Sequence, residues 1–115
     1  LGEYWESQTG LPIPLGGIAI KRNIPSEIAR KVNRLVRKSV EYACANPASS
    51  GEFVKHYAQE MDESVRNQHI QLYVNNYSVD LGEAGRKAVN TLFEWARRNK
   101  LIDDIHENIF LRSAE

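Results

Sequence analysis

The chain has 115 residues, 42% apolar and 26% charged, with 15 basic side chains balancing 15 acidic ones to a formal net charge of zero. That is one domain's worth of chain, and the neutral balance argues against nucleic acid or a membrane surface as a bulk partner. Cys44 is the only cysteine, so an internal disulfide is excluded and a reducing, cytoplasmic compartment is expected. No apolar run approaches the roughly 20 residues of a membrane span, and Leu1–Glu6 is neither basic nor apolar enough for a signal peptide. The first residue is not Met, which fits a piece of a longer polypeptide.

Leu1 to Gln8 is a short helical candidate with Leu1, Tyr4 and Trp5 on one side, ended by Thr9 and Gly10, the latter suited to a left-handed residue after a helix. Leu11-Pro12-Ile13-Pro14-Leu15-Gly16-Gly17 follows. Its prolines fix φ and remove two backbone donors, and its glycines let the backbone bend or approach another group. Ile18-Ala19-Ile20 is a β-branched run bounded by charge, so a short strand is expected over about residues 17–22. A strand needs partners, and nothing downstream supplies them. Its unpaired edge predicts a homodimer or higher assembly of the isolated chain.

Pro25 and Glu27 open the strongest helix, with Pro25 at the first helical position. Ile28, Val32, Leu35, Val36, Val40 and Ala43 recur at three- and four-residue steps as one apolar stripe. Asn46-Pro47 ends it, because the residue before proline avoids helical angles. A second helix is expected over Ser49–Met61, with Phe53, Val54, Tyr57 and Ala58 inward, and a third over Glu63–Val74. Asn75-Asn76-Tyr77-Ser78 reads as a turn. The last long helix starts at Asp80 or Gly82 and runs to about Asn99, with Ala84, Ala88, Val89, Leu92, Trp95 and Ala96 as its inner face. The tail from Asp103 has a weak apolar pattern at Ile105, Ile109, Phe110 and Leu111, enough to dock or fray. The chain is thus mainly α, with four to five helices and one strand.

Seven basic residues, Lys21, Arg22, Arg30, Lys31, Arg34, Arg37 and Lys38, cluster around the strongest helix. A single-stranded nucleic-acid face would want aromatic residues among them, and there are none, so a solvated helix face is the better account. Glu27 and Lys31 stand four residues apart and are expected to pair. His56, His69 and His106 are the acid–base groups for neutral pH. No two of them share the spacing of a helical zinc pair and no second cysteine is available, so no metal is expected. Cys44, late on a helix beside Tyr42 and Ala43, reads as a partly buried, inert thiol. No set of residues forms a catalytic constellation.

Three stretches carry a resemblance. The first is Leu1-Gly2-Glu3-Tyr4-Trp5-Glu6 with Thr9-Gly10-Leu11-Pro12-Ile13-Pro14-Leu15-Gly16-Gly17. The second is Ile18–Arg22. The third is His69-Ile70, Tyr73-Val74-Asn75, Tyr77-Ser78 and Asp80-Leu81-Gly82-Glu83-Ala84-Gly85, with Ala88-Val89 after. In this order they resemble the C-terminal part of the 1,4-dihydroxy-6-naphthoate synthases of the futalosine route to menaquinone.

The resemblance implies the C-terminal portion of an α/β fold like the type II periplasmic binding proteins, two lobes around a substrate cleft. Residues 1–22 would end the second lobe and cross over, 23–102 would form the helical part, and 103–115 the tail. It implies a lyase acting on cyclic dehypoxanthine futalosine with a histidine base and no cofactor. That base belongs to a segment ahead of the position matching Leu1. No catalytic residue is therefore carried over to His56, His69 or His106, and the chain alone is expected to be inactive. Pro12, Pro14, Leu15, Gly16 and Gly17 are the candidates to edge the cleft or act as a hinge, against the plain alternative of a structural turn. The related futalosine-route dehydratases and small-anion solute-binding modules of the same fold are the alternative readings. A stand-alone helical module whose Arg30–Lys38 face meets an acidic partner is a third.

Overall fold

A computed structural model of the chain describes residues 1–59, 62–104 and 108–111. The described residues form six α-helices and one 3-10 turn, with no strand among them. The helices are α1 (Gly2–Thr9), α2 (Ser26–Ala45), α3 (Gly51–Tyr57), α4 (Glu63–Tyr73), α5 (Asn76–Val79) and α6 (Gly82–Arg98). The 3-10 turn, Pro47–Ser50, links α2 to α3. Two compact units emerge, one of residues 1–21 and 81–115, the other of residues 22–80.

The first unit is built on α1 and α6. Gly10 ends α1 in the left-handed region, at φ 66°, and donates its N–H to Glu6 O. Lys100 ends α6 in the same region, at φ 57°. Its N–H donates to Arg97 O at 2.9 Å and that of Leu101 to Ala96 O at 2.9 Å, the paired bonds of a Schellman cap. Trp5, Gly85 and Ala88 are buried here, and Val89, Trp95 and Ala96 are half-buried. Ala88, Val89, Trp95 and Ala96 turn inward as expected, while Ala84 and Leu92 are exposed and Gly85 is buried beside them. Beyond α6, Arg97 reaches Asp104 at 3.5 Å, and the Arg86 guanidinium lies over the Phe110 ring at 5.8 Å. Part of the tail therefore docks; Ile105, His106 and residues 112–115 lie outside the described residues.

The second unit runs from α2 to α5. Pro25 stands just ahead of α2 as its cap, at ψ 137°, one residue earlier than expected. Asn46 leaves helical angles before Pro47 and donates its side-chain amide to Tyr42 O at 3.0 Å. Asp62 caps α4 by accepting from Val65 N at 3.1 Å. The expected turn at Asn75–Ser78 closes instead into the single turn of α5. Asn75 Oδ1 accepts from Tyr77 N at 3.0 Å, and Ser78 Oγ accepts from Asn75 N at 3.1 Å, a reciprocal capping box. α5 packs against α2, and Arg37 of α2 reaches both Glu41 at 3.0 Å and Asp80 at 3.9 Å. The second expected helix, Ser49–Met61, is shorter: it begins with the 3-10 turn and ends at Tyr57, with Met61 outside the described residues. Phe53 and Tyr57, expected to face inward, are exposed and stack on each other at 4.7 Å.

The short strand expected near residues 17–22 is not formed. Residues 13–20 hold no regular secondary structure, and Ile18 is 84% exposed. A β-branched run pairs only if another strand is beside it, and none of the described residues forms one.

Candidate functional site

The Leu11–Gly17 loop divides into an anchored half and a free half. Trp5 is 4% exposed and stacks edge-to-face on Trp95, with ring centroids 5.0 Å apart at 62°. Its indole Nε1 donates to Pro12 O at 2.9 Å, which gives the buried N–H its partner and fixes the loop to α1. Thr9 Oγ1 donates to Trp5 O at 2.8 Å and accepts from Leu11 N at 3.1 Å, so α1 and the start of the loop share one hydroxyl. Leu11, Pro12, Ile13 and Pro14 are half-buried as a result.

Leu15, Gly16 and Gly17 are exposed, as are Ile18, Ala19 and Ile20. A Cβ added at Gly16 or Gly17 would meet nothing within 4 Å, and neither glycine has a positive φ. Neither glycine is therefore demanded by strain or close packing within the chain. The loop carries no acid, base or nucleophile, so it can shape or border a site but cannot transfer a proton.

The other candidates stand apart from any cluster. His56 shares a shallow, open depression with Glu52, Lys55 and Ala58 and meets the Tyr57 ring edge-on at 4.7 Å. His69 lies obliquely on Tyr73 at 4.8 Å. Both histidines are exposed, and His106 lies outside the described residues. Among the described residues no three His, Cys, Asp or Glu side chains gather as a metal site would need. Cys44 is exposed, contrary to its expected partial burial, because it falls on the outward side of α2. The Glu27–Lys31 pair is not closed: among the described residues Lys31 has no carboxylate within 4.0 Å. Sequence reasoning missed the Trp5–Pro12 bond, although an indole shortly before a Pro-rich loop that removes donors but leaves carbonyls is the available signal. No described helix is long and apolar enough to cross a membrane.

A family profile described as Menaquinone biosynthesis matches residues 1–98. The chain belongs to the menaquinone biosynthesis family. Two curated relatives are similar to it. One, from Thermus thermophilus, is 41% identical over 101 residues, 88% of this chain and 37% of the relative, and is named 1,4-dihydroxy-6-naphtoate synthase. The other, from Streptomyces coelicolor, has the same name and is 43% identical over 102 residues, 89% of this chain and 36% of the relative. The chain thus spans little more than a third of the length of these relatives. Within the menaquinone biosynthesis family, the matched region includes both the Trp5 anchor and the exposed half of the loop.

Proposed function

We propose that this chain forms part of a lyase that makes 1,4-dihydroxy-6-naphthoate from cyclic dehypoxanthine futalosine during menaquinone synthesis in the cytoplasm. The observation that carries this reading is the identity of 41% and 43% to two relatives bearing the synthase name, over nearly the whole chain. In this reading the fold of the complete protein is the two-lobed, periplasmic-binding-protein-like one. The chain contributes a border of the cleft and no catalytic group. The absence of any acid, base or nucleophile in Pro12, Pro14, Leu15, Gly16 and Gly17 agrees with a bordering role. Anchored prolines and free glycines give the loop a fixed root and a compliant rim. Self-association of the isolated chain stays part of the proposal, but with no strand among the described residues it does not rest on edge pairing.

The test is product formation from cyclic dehypoxanthine futalosine, followed by chromatography, with the full-length polypeptide and with this chain alone. Naphthoate from the full-length polypeptide only is the expected result. No naphthoate from the full-length polypeptide overturns the activity. Naphthoate from this chain alone overturns the placement of the base outside it, and His56→Gln, His69→Gln and His106→Gln then identify the base. In the full-length polypeptide, all three substitutions are expected to leave kcat within about twofold, a barrier change of under about 0.5 kcal/mol.

A further inference from the structure

The apolar stripe of α2 is split in two by the structure. Ala29, Val36, Val40 and Ala43 form a covered edge, with Ala29 buried and the other three half-buried. Ile28, Val32, Leu35 and Tyr42 form a second line, and they are 49%, 41%, 59% and 62% exposed. Their steps of four, three and seven residues, with Ser39 filling the gap, are the steps of a coiled-coil seam. The line runs about 21 Å at 1.5 Å per residue, four helical turns. At 100° per residue, Lys31 and Lys38 fall along the side of this seam away from the covered edge. Both lysines are exposed, and neither has a carboxylate within 4.0 Å among the described residues.

A knob-lined seam with a lysine edge suits a helix that carries apolar residues at the same steps and carboxylates along the matching edge. A second copy of this chain fits poorly. Antiparallel seams would set one lysine edge against the other, and parallel seams would set it against the edge already covered. The matched relatives are longer, and this chain accounts for 36–37% of their length. We propose that the Ile28–Tyr42 seam of α2 docks an acidic-edged amphipathic helix of the same polypeptide, from the part of the family's length that these 115 residues do not match. This inference rests on family membership and on α2, and is independent of the reaction proposed above.

The experiment uses a synthetic helical peptide with leucines at the seam steps and glutamates along one edge, beside a twin with lysines there. Each is titrated into the 115-residue chain by fluorescence anisotropy at low and high salt. The glutamate peptide is expected to bind at least about tenfold more tightly than its twin, less so in high salt. Lys31→Glu with Lys38→Glu is expected to reverse the preference, and Leu35→Asp to abolish binding while helical circular dichroism is retained. Binding of neither peptide, or of both equally, overturns the seam's charge specificity. The same titration on a polypeptide of full family length fixes the source. Loss of peptide binding there is expected, and undiminished binding overturns an internal occupant. A dimer of the 115-residue chain in sedimentation, broken by Leu35→Asp, overturns it in favour of a second copy.

Discussion

Trp5 on α1 is 4% exposed and Leu35 on α2 is 59% exposed, although both are large apolar side chains on helices. The shorter helix has the weaker apolar pattern and the better-buried residue. Trp5 is held by three unlike contacts: a stacked indole, a bond to Pro12 O, and the Thr9 hydroxyl on its own carbonyl. Leu35 sits in the most regular stripe of the chain and is left half uncovered. Periodicity states which side of a helix is to be covered, and local contacts decide whether these residues do the covering. Trp5 finds its cover within the described residues, whereas the outer line of α2 is left exposed by them.

The contrast is broken most directly at Trp5. Trp5→Ala is expected to destabilise the chain by about 3–5 kcal/mol, the usual cost of removing a buried tryptophan, read from urea unfolding. A loss under about 1 kcal/mol would mean the anchor is ornamental. The cap of α1 comes next. Gly10→Ala places a Cβ at φ 66° and is expected to cost roughly 1–2 kcal/mol, seen as a lower midpoint with unchanged slope. The mirror case is Lys100→Gly, which relieves a side chain held at φ 57° and is expected to raise stability by roughly 0.5–1 kcal/mol. The smallest effect belongs to Leu35→Ala, expected within about 0.5 kcal/mol in the isolated chain. A loss of about 2 kcal/mol or more there would show that the α2 seam is covered in solution and erase the comparison.

Most helix ends were legible because particular residues force them. Asn46 before Pro47 cannot stay helical, and Gly10 takes a left-handed angle that other residues resist. The start of α6 at Gly82 was one of two expected positions. Other features depended on context that no single residue carries. Ile18-Ala19-Ile20 has strand-forming side chains, but a ladder is a property of two segments, and the second is missing from the described residues. Asn75–Ser78 has turn composition, yet the same Asn and Ser groups cap one helical turn when they bond reciprocally. The split of the α2 stripe was illegible because both halves are equally apolar. At the loop, the stiff prolines and free glycines were evident in advance, while the indole that ties the prolines down lies on another element.

The chain has only two tryptophans, and they form one stacked pair within the unit of residues 1–21 and 81–115. Tryptophan emission, excited at the red edge of the indole band where tyrosine does not absorb, therefore reports on that unit and is silent about residues 22–80. Far-ultraviolet dichroism sees the helices of both. Run side by side through a melt, the two signals are a built-in test of cooperativity: coincident curves mean the units unfold as one, and an early far-ultraviolet loss at constant indole signal means α2 to α5 can open alone.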